Sequence, residues 1–163
     1  MWTWSHVMVS TIVFGPSPEM FWGTVLPDTF DYVNWIKNFG KKKVSVKLLL
    51  KDQHKFNKKN NEGLVWDIDQ AFHSFICTGV VIGLAVYFLT NNSPGLLVFF
   101  GSWALHTLTD YLTHTDQIYP FFPFSKWGVK LGLLNYNPAS PLSFVFDAVL
   151  LAGFLMRMGW LHF

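Results

Sequence analysis

Cysteine is nearly absent from this chain: Cys77 is the only one among 163 residues. A single thiol excludes a disulfide within the chain and every cysteine-based zinc motif. Cys77 lies in an apolar run, where a thiol behaves as a small hydrophobe. Charge is scarce too. Asp, Glu, Lys and Arg make up 13% of the chain, against roughly 25% in soluble domains. With 51% hydrophobic residues, 17 Phe and 8 Trp, this is a membrane-protein composition. The opening residues Met-Trp-Thr-Trp-Ser-His hold no basic cluster, so a cleaved signal peptide is not expected. No internal repeat is visible, and no Ser-His-Asp or Cys-His arrangement. Ser74 stands beside His73, and adjacent residues do not face each other on a helix.

The charge that exists is unevenly placed. The formal net charge is only +2, yet nine of the 12 Lys and Arg lie between Lys37 and Lys59. A basic run of this kind can mark a nucleic-acid surface. Beside apolar spans it marks a cytoplasmic loop touching anionic lipid, and no nucleic-acid partner is expected.

Four apolar blocks organise the chain as one membrane domain over 1–163. The first, 6–27, is interrupted by Gly15-Pro16-Ser17-Pro18, and two prolines within three residues break a helix. Each half is too short for a bilayer core of roughly 30 Å. Two half-length helices folded back on each other and one kinked span are both compatible with it. Residues 37–62 form a basic cytoplasmic loop with a short amphipathic stretch from Val44 to Leu50. Block two, Ala71 to Thr90, has no Asp, Glu, Lys or Arg and reads as a full span. The Asn91–Gly95 turn joins it to block three, which ends near His114, so 71–114 is a transmembrane hairpin. A polar, aromatic loop follows, and 141–163 is a third span interrupted by Asp147 and Arg157. The lysines place the loops before block two and after block three in the cytoplasm.

Ionisable residues inside such blocks are costly and point to function. In His106-Thr-Leu-Thr-Asp110-Tyr-Leu-Thr-His114, three metal-competent side chains recur every four residues and share one helix face. The hairpin brings His73 to the same membrane face. Asp28 and Asp31 fall there as well, and His6 joins them if block one folds back. Imidazole and carboxylate together suit Zn, with Mn or Fe as alternatives. Asp67 and Asp69 could be ligands or could orient an imidazole; Asp69 could equally cap a helix.

Thr3-Trp-Ser-His6, Leu26-Pro-Asp28, Asp69-Gln-Ala-Phe-His73-Ser74, His106-x3-Asp110-x3-His114-x-Asp116 and Pro120-Phe-Phe-Pro-Phe-Ser125 occur in this order. The set resembles bacterial inner-membrane proteins described as membrane-bound metal-dependent hydrolases, which include a LexA-regulated member. The resemblance covers roughly 3 to 145. It implies that His6, Asp28, His73, His106 and Asp110 match the family's metal-site positions, and that His114 and Asp116 match a subgroup. That subgroup has further His and Asp where this chain carries Thr115, Gln117 and Tyr119, and Asp147 is not carried over.

The expectation is therefore an all-α integral membrane helical bundle, with three full spans and a broken N-terminal helix pair. Its metal ligands would be drawn from His6, Asp28, His73, His106, Asp110 and His114, with Asp28 a ligand or the general base. It would act as a hydrolase at the cytoplasmic face of the inner membrane, on a phosphoester or lipid headgroup drawn by the lysines. Two alternatives stand beside it. One is a structural metal in a non-catalytic membrane protein. The other is a small ion-handling oligomer with Asp110, Asp147 and Arg157 along a polar path, and with Gly79, Gly83 and Gly101 facing a neighbouring chain.

Overall fold

The computed structural model describes residues 3–40, 63–113, 119–129, 132 and 140–161. His54, His114, Asp116, Lys130, His162 and the Val44–Leu50 stretch lie outside the described residues. The fold is all-α. Helix α1 spans Thr3–Phe14, α2 Pro18–Val25, α3 Thr29–Gly40, α4 Leu64–Phe72, α5 Phe75–Thr90, α6 Pro94–Thr113 and α7 Pro141–Arg157.

The Gly15–Pro18 break turns the chain back on itself. Gly15 adopts φ +80°, a conformation open to glycine at no steric cost. The Ser17 hydroxyl accepts from Met20 N–H at 3.1 Å and caps α2. Pro18 occupies the first turn, where a missing N–H costs nothing. Helices α1 and α2 then run antiparallel. The Thr11 hydroxyl reaches Met20 Sδ, and at the open end the Thr3 hydroxyl donates to Asp28 Oδ2.

The second apolar block is not one uninterrupted span. It divides at His73-Ser74 into α4 and α5, bent by 48°. Ser74 is extended and its hydroxyl accepts from Cys77 N–H at 3.1 Å, so it starts a new helix. Serine competes with the helical backbone in this way, which is why it favours caps over helix interiors. Asp69 consequently lies inside α4 and caps nothing. Helix α5 keeps 16 residues, roughly 24 Å at 1.5 Å per residue. The third block is α6, with 20 residues. The fourth ends sooner than its sequence suggests: α7 stops at Arg157, and Gly159 beyond it has φ +73°.

No single described helix is long and apolar enough to cross a membrane; α4 and α5 together pass by length and composition. The burial pattern is inverted relative to a soluble core. Among the described residues, sixteen polar or charged side chains are buried against nine apolar ones, Val7, Met20, Pro27, Val81, Trp103, Ala104, Tyr111, Pro120 and Phe122. Large apolar side chains meanwhile cover the outside of α5 and α7, with Val80, Val86, Leu89, Leu142, Phe144 and Val149 all more than half exposed. Isolated exposed apolar residues are ordinary, but two whole helices clothed in them are not.

Helices α5 and α6 form an antiparallel hairpin. Phe88 stacks on Phe100 near the turn, and Thr78 meets Thr107 and Tyr111 at the other end. Helix α2 crosses α6 so closely that a Cβ on Gly23 would sit 2.1 Å from the Phe99 carbonyl oxygen. Gly101 is filled from within the chain, by Phe14; it is not a contact for a neighbouring copy. Gly79 and Gly83 have nothing within 4 Å of an added Cβ. Gly23→Ala should therefore lower stability by about 1–3 kcal/mol, the usual cost of overpacking, while Gly79→Ala should leave it unchanged. Thermal unfolding in detergent measures both, and equal midpoints for the two variants would contradict the α2–α6 approach.

Candidate metal centre

Helix α6 supplies the first two groups. His106 and Asp110 are one turn apart on its inward face, 0% and 4% exposed. His106 Nε2 lies 3.2 Å from Asp110 Oδ2. The turn between α2 and α3 contributes Asp28, whose Oδ1 is also 3.2 Å from His106 Nε2. The break between α4 and α5 contributes His73. Its Nε2 lies 3.3 Å from Asp110 Oδ2, 3.4 Å from His106 Nε2 and 3.5 Å from Asp28 Oδ1. Every pair among these four atoms falls within 4.8 Å.

That geometry fits a metal ion. Bonds of about 2.0–2.2 Å to imidazole and carboxylate ligands in a tetrahedron imply ligand–ligand edges of about 3.3–3.6 Å. Five of the six edges here run from 3.2 to 3.5 Å. The hydrogen bonding agrees. His73 Nδ1 is 2.9 Å from the Asp69 backbone carbonyl, an acceptor only, so Nδ1 carries the proton. In the neutral ring Nε2 then offers a lone pair among two carboxylate oxygens, a place for either an ion or a second ring proton. Lone pairs facing carboxylates repel unless a cation lies among them, and a backbone carbonyl behind a ligating imidazole is the usual orienting partner. His106 Nδ1 is buried without a hydrogen-bond partner, so this ring is placed by packing and by the groups facing Nε2.

His6 stands behind this group. Its Nε2 lies 2.9 Å from Asp110 Oδ1, the carboxylate oxygen opposite the centre. Its ring lies 4.1 Å from that of His106, centroid to centroid, tilted by 30°. Its Nδ1 is 2.8 Å from the Thr109 hydroxyl. The single Thr109 hydroxyl proton is within reach of the Leu105 and His106 carbonyls and of His6 Nδ1; donated to Nδ1, it leaves His6 Nε2–H facing Asp110 Oδ1. His6 thus orients Asp110 from the rear, and is not one of the four converging atoms.

The other acidic candidates are placed differently. The Asp69 carboxylate stays behind His73, 3.7 Å from Nδ1. Asp147 accepts from the Ser5 hydroxyl at 2.7 Å, between α1 and α7. Arg157 approaches Gly15, at the other end of α1 from the Ser5–Asp147 contact. The Ser74 hydroxyl donates to the Ala71 carbonyl and serves as a cap.

Several hydroxyl groups that hold the centre carry no signal in the sequence. The Tyr111 phenol donates to the His73 carbonyl at 2.9 Å and lies 2.6 Å from the Thr78 hydroxyl. It fixes the break that presents His73. On the opposite side the Tyr32 phenol donates to Thr3, which donates to Asp28 Oδ2. Burial raises the Tyr32 phenol above its ordinary value, so it stays protonated and remains a donor at neutral pH. Thr3 was visible as part of a motif, but Tyr32, Thr78 and Thr109 follow no spacing that marks them.

No family model, no curated protein and no solved structure matches the chain.

Metal analysis of purified protein should give about one divalent ion per chain. His106→Ala and Asp110→Ala should each abolish stoichiometric binding. His6→Ala should keep the ion but bind it about 10- to 100-fold more weakly, as is typical when a group behind a ligand is removed. Full metal content in both α6 variants would dismiss this ligand set.

Proposed function

We propose that the chain is a membrane-embedded metal-dependent hydrolase, with Asp28, His73, His106 and Asp110 holding the ion. The observation that carries this reading is the convergence of two imidazole nitrogens and two carboxylate oxygens on tetrahedral edges. Zn suits the donor set best, with Mn or Fe as alternatives. The resemblance to inner-membrane metal-dependent hydrolases points the same way. Support for the membrane comes from the apolar exterior of α5 and α7 around a polar interior. In this reading the three apolar blocks beyond α3 cross the bilayer with help from flanking segments. The lysine-rich stretch is cytoplasmic, and the protein resides in a bacterial inner membrane.

A divalent ion in such a site supplies a Lewis acid and makes water nucleophilic at neutral pH. The chain's own residues set the approach. His106 and Asp110 are sealed, with side chains 0% and 6% exposed, whereas His73 and Asp28 are 14% and 19% exposed. Substrate and water therefore reach the centre across the Asp28–His73 edge. A phosphoester or lipid headgroup suits that approach, because α3 begins at Thr29 and leads from Asp28 into the lysine-rich stretch. Asp28 sits on a turn, between two helices, and is the vertex freest to shift as substrate enters. Asp28 Oδ1 occupies a ligand position, so Asp28 acts first as ligand; a general-base role would require it to leave that position.

A structural metal is the second reading, and one feature favours it: all four vertices are protein atoms, as in closed structural sites. Assays separate the two. Metal-loaded protein in detergent or lipid should hydrolyse a phosphoester substrate, lose activity to a chelator and regain it on re-addition of the ion. Asp28→Asn should lower that activity by about 10²–10⁴-fold if the carboxylate takes up the proton, and should release the ion if its role is ligation alone. Fully loaded protein inert toward phosphoester, ester and amide panels would leave the structural reading in place.

A further inference from the structure

Two vertices lie outside the helices, His73 in the α4–α5 break and Asp28. Asp28 lies in the turn between α2 and α3, and its side chain is the most exposed of the four. A carboxylate in that position can present either oxygen, or both, to an ion. What restrains it is a directional chain of two hydrogen bonds. Asp28 is an acceptor only, so the single Thr3 hydroxyl proton goes to Asp28 Oδ2. The Thr3 oxygen is then left to accept, and the Tyr32 phenol donates to it. Thr3 opens α1 and Tyr32 lies on the first turn of α3. The chain thus ties two helices to the oxygen that faces away from His73 and His106.

We infer that Thr3 and Tyr32 are positioning residues for this centre: they engage Asp28 Oδ2 so that only Oδ1 is offered to the ion. The inference rests on the metal reading above. It gives Thr3 a role in the Thr3-Trp-Ser-His6 segment beyond starting the helix that carries His6. It also explains why a tyrosine 43% exposed at the edge of the bundle turns its hydroxyl inward. Held in this way, Asp28 is a one-oxygen ligand. The space Oδ2 would otherwise take stays open on the side from which substrate arrives.

Cobalt substitution tests this, because the visible spectrum of Co²⁺ reports coordination number and geometry without any turnover. The full chain, purified in detergent, is loaded with Co²⁺, and metal affinity is measured by competition with a chelator. Wild-type protein should bind one Co²⁺. Thr3→Val removes the donor at nearly constant volume. It should weaken binding by about 10- to 100-fold and change the Co²⁺ spectrum as Oδ2 becomes free to coordinate. Thr3→Ser keeps a hydroxyl and should restore both affinity and spectrum. Tyr32→Phe should shift both in the same direction as Thr3→Val, by less, because Thr3 keeps its bond to Asp28. Thr3→Val and Tyr32→Phe proteins indistinguishable from wild type in spectrum and affinity would overturn the proposal. So would a Thr3→Ser protein that behaves like Thr3→Val, since packing alone would then explain the loss. If Thr3→Val does not fold, the Thr3→Ser and Tyr32→Phe pair carries the same test. A wild-type chain that takes up no Co²⁺ overturns the metal reading itself, a different result from an unchanged spectrum in the variants.

Discussion

One carboxylate holds this structure together. Asp110 turns Oδ2 toward the His73 and His106 nitrogens and Oδ1 toward His6. It therefore links α1, α6 and the α4–α5 break through a single side chain 4% exposed. Burying a charge in this way costs several kcal/mol unless opposite charge and hydrogen bonds compensate it. A second carboxylate, Asp28, shares the same site. Two carboxylates at one site repel one another, and a positive charge among them, on an ion or on the imidazoles, would turn that repulsion into attraction. The apolar cluster of Val81, Trp103 and Ala104 with Leu26 and Phe72 joins the same segments beside the site. An ion bound there would also stabilise the fold, since metal affinity for a site absent from the unfolded chain is folding free energy.

The surrounding hydroxyls make a polar interior tolerable. Thr11, Thr24, Thr29 and Thr113 each donate to a carbonyl one helical turn earlier, and Thr107 does the same. This satisfies the hydroxyl proton within its own helix and leaves an oxygen lone pair for use elsewhere. Thr109 also places its hydroxyl 2.8 Å from His6 Nδ1. Threonine can thus stand in an apolar setting without a partner on another helix and still orient a neighbouring ring.

Some of this is legible in the sequence. The His106–Asp110 pair lies one turn apart on a single face, because helical periodicity is fixed and α6 is regular over its whole length. The Gly15–Pro18 break is visible because proline and glycine act through local sterics that need no tertiary context. The division at His73-Ser74 is not. Its residues are compatible with an uninterrupted helix, and only the Tyr111 phenol and the Ser74 cap make the break favourable. Apolar composition alone cannot tell a 20-residue span from a 16-residue helix behind a bend. The same holds for Asp69: its carboxylate drew notice, yet its backbone carbonyl does the work, and every residue has one. Tyr32 was invisible because its partner lies 29 residues away.

The break at His73 follows from backbone accounting. In a continuous helix the His73 carbonyl would accept from Cys77 N–H. Here Cys77 N–H goes to the Ser74 hydroxyl, and the Tyr111 phenol takes the vacated carbonyl. Phe75 N–H finds the Pro120 carbonyl from the segment after α6. An interrupted helix leaves such groups without partners, and in an apolar medium each would cost several kcal/mol. Irregular backbone at membrane depth is tolerated only where protein or a cavity satisfies it. All three groups are satisfied here, so the chain can bend at His73 and aim an imidazole along the direction that α4 and α5, if continuous, would have filled with backbone. The placement of His73 and the break are therefore one feature: the hydroxyl of Tyr111, adjacent to Asp110, stabilises the bend that brings His73 to the Asp110 carboxylate.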